Sequence, residues 1–203
     1  MATRTILVDI DTQVDFMDPS GALYVPGAER LYGVQSALRA IAAERGIPHL
    51  ATMDTHTPDD PEFAQYHFPP HCVRGTAGWA KVDATRQAAP FPVKADGPEV
   101  LAHRELVFQK ATFDAFSNPA FGAVVARLAP AEAVVFGVAT DYCVKAAVLG
   151  LLAAGVPVVV VEDAIAAVAP ETREAAIAEM QAAGARFERA EVVMRRLGVA
   201  HVA

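Results

Sequence analysis

The feature that most constrains the fold is an alternation of short, uniformly apolar runs with longer stretches of helical periodicity. The apolar runs are rich in Val, Ile and Leu, as in strands that are buried on both faces of a parallel sheet. They cover residues 5–11, 48–54, 105–110, 133–138 and 156–161. This order predicts a three-layer α/β/α fold, in which helices cover both faces of a mostly parallel, roughly six-stranded, Rossmann-like sheet.

Helices are predicted at residues 31–45, 119–128, 140–154 and 170–183, and glycines at 46, 155 and 184 mark helix ends. Residues 186–197 predict a short edge strand and a last helical turn. Residues 55–98 are expected to be irregular and functional, because a loop of that length is uncommon in a compact domain. Ligands of parallel sheets bind at the carboxyl ends of the strands, so polar residues that follow strands are the functional candidates.

Composition excludes several classes of function. The net charge is −7 and no run of Lys or Arg is present, which argues against a nucleic-acid partner. The apolar stretches are interrupted before they reach membrane-spanning length, so no membrane partner is expected. The chain enters its first strand without a secretory leader, which predicts a cytoplasmic protein whose cysteines, Cys72 and Cys143, are free thiols.

Cys143 is the candidate nucleophile. It lies in the segment Gly-Val-Ala-Thr-Asp-Tyr-Cys after a predicted strand, where Thr140 or Asp141 could cap the next helix. In a first helical turn, the helix dipole and the backbone N–H groups favour a thiolate and could stabilise an oxyanion. The alternative is a buried cysteine that acts only as a small hydrophobic residue.

Asp11 and Lys110 each end a predicted strand and are the candidate partners of this thiol. A carboxylate in a partly dry site could accept the thiol proton, and an ammonium group nearby could lower the thiol pKa. The alternatives are an Asp that caps a turn and a Lys at the protein surface.

A metal site is predicted from Asp54, His56 and His71, since two histidines and a carboxylate form a common catalytic set for Zn²⁺, Fe²⁺ or Mn²⁺. Asp54 and His56 are two residues apart, so in an extended chain both side chains point to the same side. Further ligands could come from Glu62, His67 or Cys72. The alternatives are a polar loop with solvated histidines, or a His71 that serves as the base for one of the cysteines.

Five segments together resemble the nicotinamidase/pyrazinamidase group of the isochorismatase-like cysteine hydrolases. They span nearly the whole chain and follow the order of that family. The segments are Asp11-x-Gln13-x-Asp15-Phe16, Ala51-Thr-Met-Asp54-Thr-His56, Pro69-Pro-His71-Cys72-Val-x-Gly75-Thr76, Lys110-Ala-Thr-Phe113-Asp-Ala-Phe116 and Gly137-Val-Ala-Thr-Asp-Tyr-Cys143-Val. Each segment alone is weakly specific, whereas the five in this order are highly specific.

The resemblance implies one isochorismatase-like hydrolase domain over residues 1–203. It implies a catalytic triad of Asp11 as base, Lys110 and Cys143, and one divalent metal ion of the kinds named above. The implied metal ligands are Asp54, His56 and His71, with Glu62 as a further ligand.

The resemblance also implies an oxyanion hole formed by the N–H groups of Ala139 and Cys143, oriented by a cis peptide between Val138 and Ala139. The residues expected to bind substrate are Phe16, Phe68 and Tyr142. Some relatives have Trp in place of Phe68, and others have His in place of Tyr142. Trp79 matches none of the motifs and is interpreted as a packing residue or loop anchor.

The implied function is hydrolysis of nicotinamide to nicotinate and ammonia through a Cys143 thioester, a reaction of NAD salvage. The implied partner is a small aromatic amide, and a homo-oligomer is compatible with the family. One alternative is another hydrolase of the same fold, such as an N-carbamoyl or ureidoacrylate amidase or an isochorismatase. Those relatives generally lack the metal set. A second alternative is a non-catalytic module that binds a small molecule or a metal.

Overall fold

A computed structural model of the chain describes residues 5–94 and 98–198. In this part of the chain the strands are β1 (Thr5–Ile10), β2 (His49–Asp54), β3 (Phe91–Pro92), β4 (Glu105–Lys110), β5 (Glu132–Val138), β6 (Val158–Ala166) and β7 (Arg186–Glu188). They form one seven-stranded sheet in the order β3-β4-β2-β1-β5-β6-β7. Neighbouring strands pair in parallel throughout this sheet. The predicted α/β fold with a mostly parallel sheet is therefore confirmed.

The α-helices are α1 (Val14–Met17), α2 (Tyr32–Arg45), α3 (Pro61–Tyr66), α4 (Pro119–Leu128), α5 (Lys145–Ala153), α6 (Pro170–Ala182) and α7 (Ala190–Gly198). Helices α2 and α7 cover one face of the sheet, and α4, α5 and α6 cover the other. Because helices cover both faces of the sheet, the side chains on both faces of a strand are buried. In β1, Ile6, Val8 and Ile10 pack on one face, and Leu7 packs on the opposite face. None of the helices in the described ranges is long and apolar enough to cross a membrane.

The structure corrects several predicted boundaries. The region predicted to be irregular contains β3 and α3, which are two and six residues long and too short to give a periodic signal. Strand β6 continues beyond the predicted end at residue 161, and α7 is a nine-residue helix rather than a single turn. Helix α5 begins at Lys145 because residues Thr140–Val144 form a π-helical turn. The predicted helix stop at Gly46 is confirmed, since its φ angle is 63°.

Gly137 brings β5 unusually close to β1. Its φ angle is 126°, and a Cβ atom at this position would lie 2.1 Å from the carbonyl oxygen of Ile10. Only glycine can meet both conditions. The close approach places the segment after β5, which carries Cys143, beside the residue that follows β1, which is Asp11.

A buried ion pair fixes the turn that follows β1. Lys81 Nζ lies 2.9 Å from Asp9 Oδ1, and it donates a hydrogen bond of 3.1 Å to Thr12 Oγ1. Thr12 Oγ1 in turn donates to Asp9 Oδ1 over 2.8 Å. Burial alone would raise the pKa of Asp9, but the Lys81 ammonium and His49 together outweigh it and hold that pKa below its usual value of 3.8. This charged network thereby holds Thr12, the residue that follows Asp11.

We predict that Lys81→Met lowers the free energy of unfolding by about 3–5 kcal/mol at pH 7, because it leaves the Asp9 carboxylate buried without its partner. The double variant Asp9→Leu/Lys81→Met should recover most of this loss. Urea denaturation measures both values. Because the folded-state pKa of Asp9 lies below 3.8, its contribution is present above that pH and disappears as the pH falls further. Equal losses in the single and double variants would contradict a role for the ion pair.

Candidate active site and metal centre

Four neighbouring strands deliver the candidate site residues to one edge of the sheet. Asp11 follows β1, Asp54 and Lys110 are the last residues of β2 and β4, and Cys143 lies in the π-helical turn after β5. The strand order β4-β2-β1-β5 brings these carboxyl ends together, as expected for a site of this fold class. All four residues are buried.

The ammonium group of Lys110 lies at the centre of this group. Lys110 Nζ is 2.7 Å from Asp11 Oδ2 and 3.3 Å from Asp54 Oδ1. It also donates to Cys143 Sγ over 3.7 Å and to the carbonyl oxygen of Thr112 over 2.9 Å. Its side chain is only 1% exposed, so the alternative of a surface lysine is wrong. The two nearby carboxylates raise the pKa of Lys110 despite its burial, so this side chain stays protonated.

Asp11 is held in a fixed orientation by Thr52. The backbone N–H of Asp11 donates to Thr52 Oγ1 over 3.2 Å, and Thr52 Oγ1 donates to Asp11 Oδ1 over 2.7 Å. Asp11 has a φ angle of 47°, a conformation that is uncommon for residues other than glycine. Sequence analysis missed Thr52, although its position two residues before Asp54 on β2 gives both side chains the same direction.

The Cys143 thiol keeps its proton in this environment. Burial raises the pKa of Cys143 well above its usual range; Lys110 opposes this effect, and Asp11 and Asp54 reinforce it. The prediction that the start of the helix favours a thiolate is therefore wrong for the resting site. A proton acceptor is needed when the sulfur reacts, and the Asp11 carboxylate, which contacts the same Lys110 ammonium group as the thiol, is the candidate.

The predicted helix cap at Thr140 or Asp141 is not present. The π-helical turn has Ala139 at its N-cap position and no side-chain cap. The carboxylate of Asp141 instead accepts hydrogen bonds from the backbone N–H of Val168 and the hydroxyl of Thr172. Asp141 thus ties the turn that carries Cys143 to Val168 and to the first turn of α6. The expected cis peptide between Val138 and Ala139 is present.

The predicted metal ligands form a compact group beside Lys110. His56 Nε2 and His71 Nε2 lie 3.1 Å and 3.5 Å from Asp54 Oδ2, and ligand atoms of these three residues lie within 4.8 Å of one another. Glu62 Oε2 is 4.0 Å from His56 Nε2, and its other carboxylate oxygen is buried without a hydrogen-bond partner. The alternative of solvated loop histidines is wrong for His56 and His71, which are almost fully buried.

The outer nitrogen of each histidine has its own hydrogen-bond acceptor. His56 Nδ1 lies 3.0 Å from Asp60 Oδ2, and His71 Nδ1 lies 3.0 Å from the carbonyl oxygen of Pro69. If each Nδ1 donates, both Nε2 atoms are left to bind an ion, which is the usual arrangement around protein metals. Asp60 was missed by sequence analysis, although Asp before Pro61 is a signal for the start of a helix.

The donor set fits a divalent ion. Although burial favours a neutral ring, the carboxylates of Asp54, Asp60 and Glu62 raise the pKa of His56 to about 9. Burial and the charge of Asp54 raise the pKa of Glu62. Buried carboxylates and imidazoles in such close contact favour a bound cation, and their nitrogen and oxygen atoms suit Zn²⁺, Fe²⁺ or Mn²⁺.

Two other suggested ligands do not join this group. His67 ends α3 and is exposed. Cys72 is fully buried, and it belongs to neither of the candidate metal-binding groups found among the described residues. His71 makes no hydrogen bond to either thiol in this part of the chain, so the alternative that it serves as their base has no support.

A cavity of about 80 Å³ separates the thiol from the metal group. Asp54 and His71 form one wall and Cys143 another, and the predicted residues Phe16, Phe68, Ala139 and Tyr142 also line it. Sequence analysis missed the apolar residues Leu23, Val25, Phe113 and Val168. Tyr142 is 36% exposed and lies at the mouth. The cavity is thus mostly apolar, with the candidate nucleophile and two of the candidate metal ligands facing into it.

Asp15 joins the loops on two sides of this cavity. Its Oδ2 accepts a hydrogen bond of 2.7 Å from the backbone N–H of Cys72, next to His71. Its Oδ1 accepts one of 3.0 Å from the backbone N–H of Ala22, next to Leu23. Trp79 acts as the expected loop anchor, since its indole N–H donates to Thr55 Oγ1 over 2.9 Å.

Comparison with known proteins agrees with this geometry. The sequence model of the isochorismatase domain matches residues 5–192. The chain belongs to the isochorismatase family. This family member is 30% identical to the nicotinamidase of Escherichia coli (strain K12) over 210 residues, which cover 91% of this chain and 94% of that protein.

Two solved structures extend the comparison of this family member. Pyrazinamidase of Pyrococcus horikoshii, in complex with zinc, superposes with a TM-score of 0.77 at 27% identity, covering 92% of this chain and 99% of that one. N-carbamoylsarcosine amidase from Thermoplasma acidophilum superposes with a TM-score of 0.75 at 23% identity, covering 93% and 97%. The second likeness shows a shared fold alone.

We predict that Asp60→Asn lowers the affinity for Zn²⁺ about 10–100-fold, because it removes the charged acceptor of His56 Nδ1. Asparagine keeps a side-chain oxygen that can cap α3, so the helix should persist. Competition with a chromogenic chelator measures the affinity. Asp59→Asn is the matched control, since Asp59 is adjacent and exposed. Equal affinities for the two variants would show that Asp60 does not orient the ligand.

Proposed function

We propose that this protein is a metal-dependent nicotinamidase, which hydrolyses nicotinamide to nicotinate and ammonia through a thioester on Cys143. The observation that carries the proposal is the position of Lys110 Nζ, within 3.7 Å of Cys143 Sγ and 3.3 Å of Asp54 Oδ1. It joins the nucleophile group and the metal group in one buried site. The identity to a nicotinamidase over nearly the whole chain supports the same activity.

In the proposed first half-reaction the amide enters the apolar cavity with its ring near Phe16 and Phe68. Asp11 accepts the proton of Cys143, and the sulfur attacks the carboxamide carbon. The backbone N–H groups of Ala139 and Cys143 stabilise the oxyanion. The C–N bond then breaks as Asp11 returns the proton to the departing nitrogen, which leaves as ammonia.

In the second half-reaction water hydrolyses the thioester. Asp11 takes a proton from the water molecule, the oxygen attacks the thioester carbon, and the C–S bond breaks to release nicotinate. The thiol recovers its proton from Asp11. Lys110, whose Nζ lies 2.7 Å from Asp11 Oδ2, remains protonated throughout.

Asp54, His56, His71 and Glu62 would hold the divalent ion. When bound, such an ion supplies a Lewis-acidic position for a ring nitrogen of the substrate. The chain's own contribution is to hold these four ligands together, with Asp54 and His71 facing the cavity. Phe113 and Tyr142, whose ring centroids are 5.3 Å apart, narrow the mouth and exclude water from the reacting amide.

A second candidate is another amidase of this fold, because the fold is shared with N-carbamoylsarcosine amidase. The grouping of Asp54, His56 and His71 favours a substrate with a metal-binding ring nitrogen over an N-carbamoyl substrate. A non-catalytic binding module would not need a buried group of Asp11, Lys110 and Cys143.

We predict that Cys143→Ala lowers kcat for nicotinamide by about 10⁴-fold or more, because it removes the attacking atom. Its metal content, measured by elemental analysis, should stay unchanged since Cys143 is outside the metal group. Cys72→Ala removes the other free thiol and should keep most of the activity. Near-normal ammonia release by Cys143→Ala would exclude the thioester mechanism.

We also predict a substrate preference that depends on the ring nitrogen. With metal bound, kcat/KM for nicotinamide and pyrazinamide should exceed that for benzamide by at least about tenfold, since coordination adds about 1.4 kcal/mol or more to transition-state binding. Coupled detection of ammonia measures these rates. Faster hydrolysis of N-carbamoylsarcosine than of nicotinamide would favour the second candidate.

A further inference from the structure

A second concave surface lies at the opposite edge of the sheet from the candidate active site. It is a groove of about 380 Å³ between the end of α2 and the amino ends of β2 and β4. We call it the amino-edge groove, and the residues that matter to its chemistry are Arg39, His49, His103, Arg104 and Glu105. Strand β2 begins at His49 in this groove and ends at Asp54 in the metal group. The two sites are therefore separated by the length of a strand, roughly 17 Å.

Among the described residues, no acidic side chain forms an ion pair with the two arginines that line the groove. Within residues 5–94 and 98–198, Arg39 and Arg104 are the arginines without an ion pair or an aromatic partner, and both line this groove. Eight others pair with a carboxylate: Arg30, Arg45, Arg86, Arg173, Arg186, Arg189, Arg195 and Arg196. Arg74 lies over the ring of Trp79. In a chain of net charge −7, two unpaired arginines in one groove are unusual.

Glu105 is the acidic residue that lines the groove, and its carboxylate is already hydrogen-bonded to the backbone. The two carboxylate oxygens of Glu105 accept hydrogen bonds from the backbone N–H groups of Ala88 and Ala89, at 3.2 Å and 2.6 Å. Its negative charge is therefore directed to the backbone of the groove wall. Neither arginine forms an ion pair with it.

His49 adds a buried ring nitrogen without a hydrogen-bond partner. It is 2% exposed, and its Nδ1 has no hydrogen-bond partner, whereas its Nε2 lies 3.6 Å from Asp9 Oδ2. Its backbone is fixed, because its N–H donates to the carbonyl oxygen of Arg104 over 2.7 Å. Arg39 Nε is likewise buried without a partner. Buried donors of this kind are normally satisfied by an acceptor.

We propose that the amino-edge groove binds a small oxyanion, a carboxylate or a phosphate group, between the guanidinium groups of Arg39 and Arg104. Planar guanidinium groups bind such oxygens in a bidentate manner, and the pairing is strongest where donors are partly dehydrated. His103, stacked on Phe91 with ring centroids 3.9 Å apart, forms a rigid rim of the groove. The proposed site shares no residue with the candidate active site, so it does not depend on the proposed activity.

Isothermal titration calorimetry with inorganic phosphate, at constant ionic strength and with the metal-loaded protein, tests this proposal. We expect one saturable site in the wild type and at least about tenfold weaker binding in Arg39→Gln/Arg104→Gln. Acetate, titrated in the same way, distinguishes carboxylate from phosphate as the preferred group. Arg45→Gln is the matched control, because Arg45 is also on α2 but pairs with Glu44, and its affinity should stay within twofold of the wild type.

Absence of saturable binding of either anion at millimolar concentrations would overturn the proposal. Equal phosphate binding by the wild type and the double variant would also overturn it, since the anion would then bind elsewhere, for example at the metal group. Nicotinamide hydrolysis and the thermal unfolding midpoint of the double variant should match the wild type, which verifies that it is folded. If Arg39→Gln proves unstable, Arg104→Gln alone carries the test, because Arg104 is exposed.

Discussion

The interaction on which the site depends is the buried ammonium group of Lys110. It neutralises two buried carboxylates, Asp11 and Asp54, that would otherwise repel each other. The same ammonium group contacts the thiol of Cys143, and Asp54 contacts the two histidines, so one cation joins the candidate nucleophile to the candidate metal group. Removing its charge would leave two buried anions without a counter-charge. The candidate site is therefore one electrostatic unit rather than a triad with a metal group placed beside it.

The sequence predicted the main residues of this unit because they occupy strand ends. The apolar runs gave the positions of β1, β2, β4 and β5, and in a parallel sheet polar residues after such runs share one edge. What the runs alone do not specify is the order of the strands. Placing β1 between β2 and β5 brings Asp11 between Asp54 and Cys143, and that neighbourhood was inferred from the resemblance of five motifs.

The residues that sequence analysis missed either form hydrogen bonds between neighbouring strands or come from distant loops. Thr52 clamps Asp11 across two strands, and Leu23, Val25 and Val168 reach the cavity from loops whose paths are set by tertiary contacts. The protonated state of Cys143 was also missed, because a helix start favours a thiolate only where burial does not outweigh it. Local sequence patterns thus predicted the candidate residues of the site. Their burial and the packing of the loops around them could be described only from the structure.

Asp60 has a consequence for how the metal group is assembled. One carboxylate oxygen caps the six-residue helix α3 by accepting from the backbone N–H of Glu62, and the other lies beside His56. A helix this short does not persist alone in water. The capping of α3, the orientation of the His56 ring and the position of Glu62 therefore depend on one carboxylate, so an ion held by these ligands would also stabilise the helix that supplies Glu62.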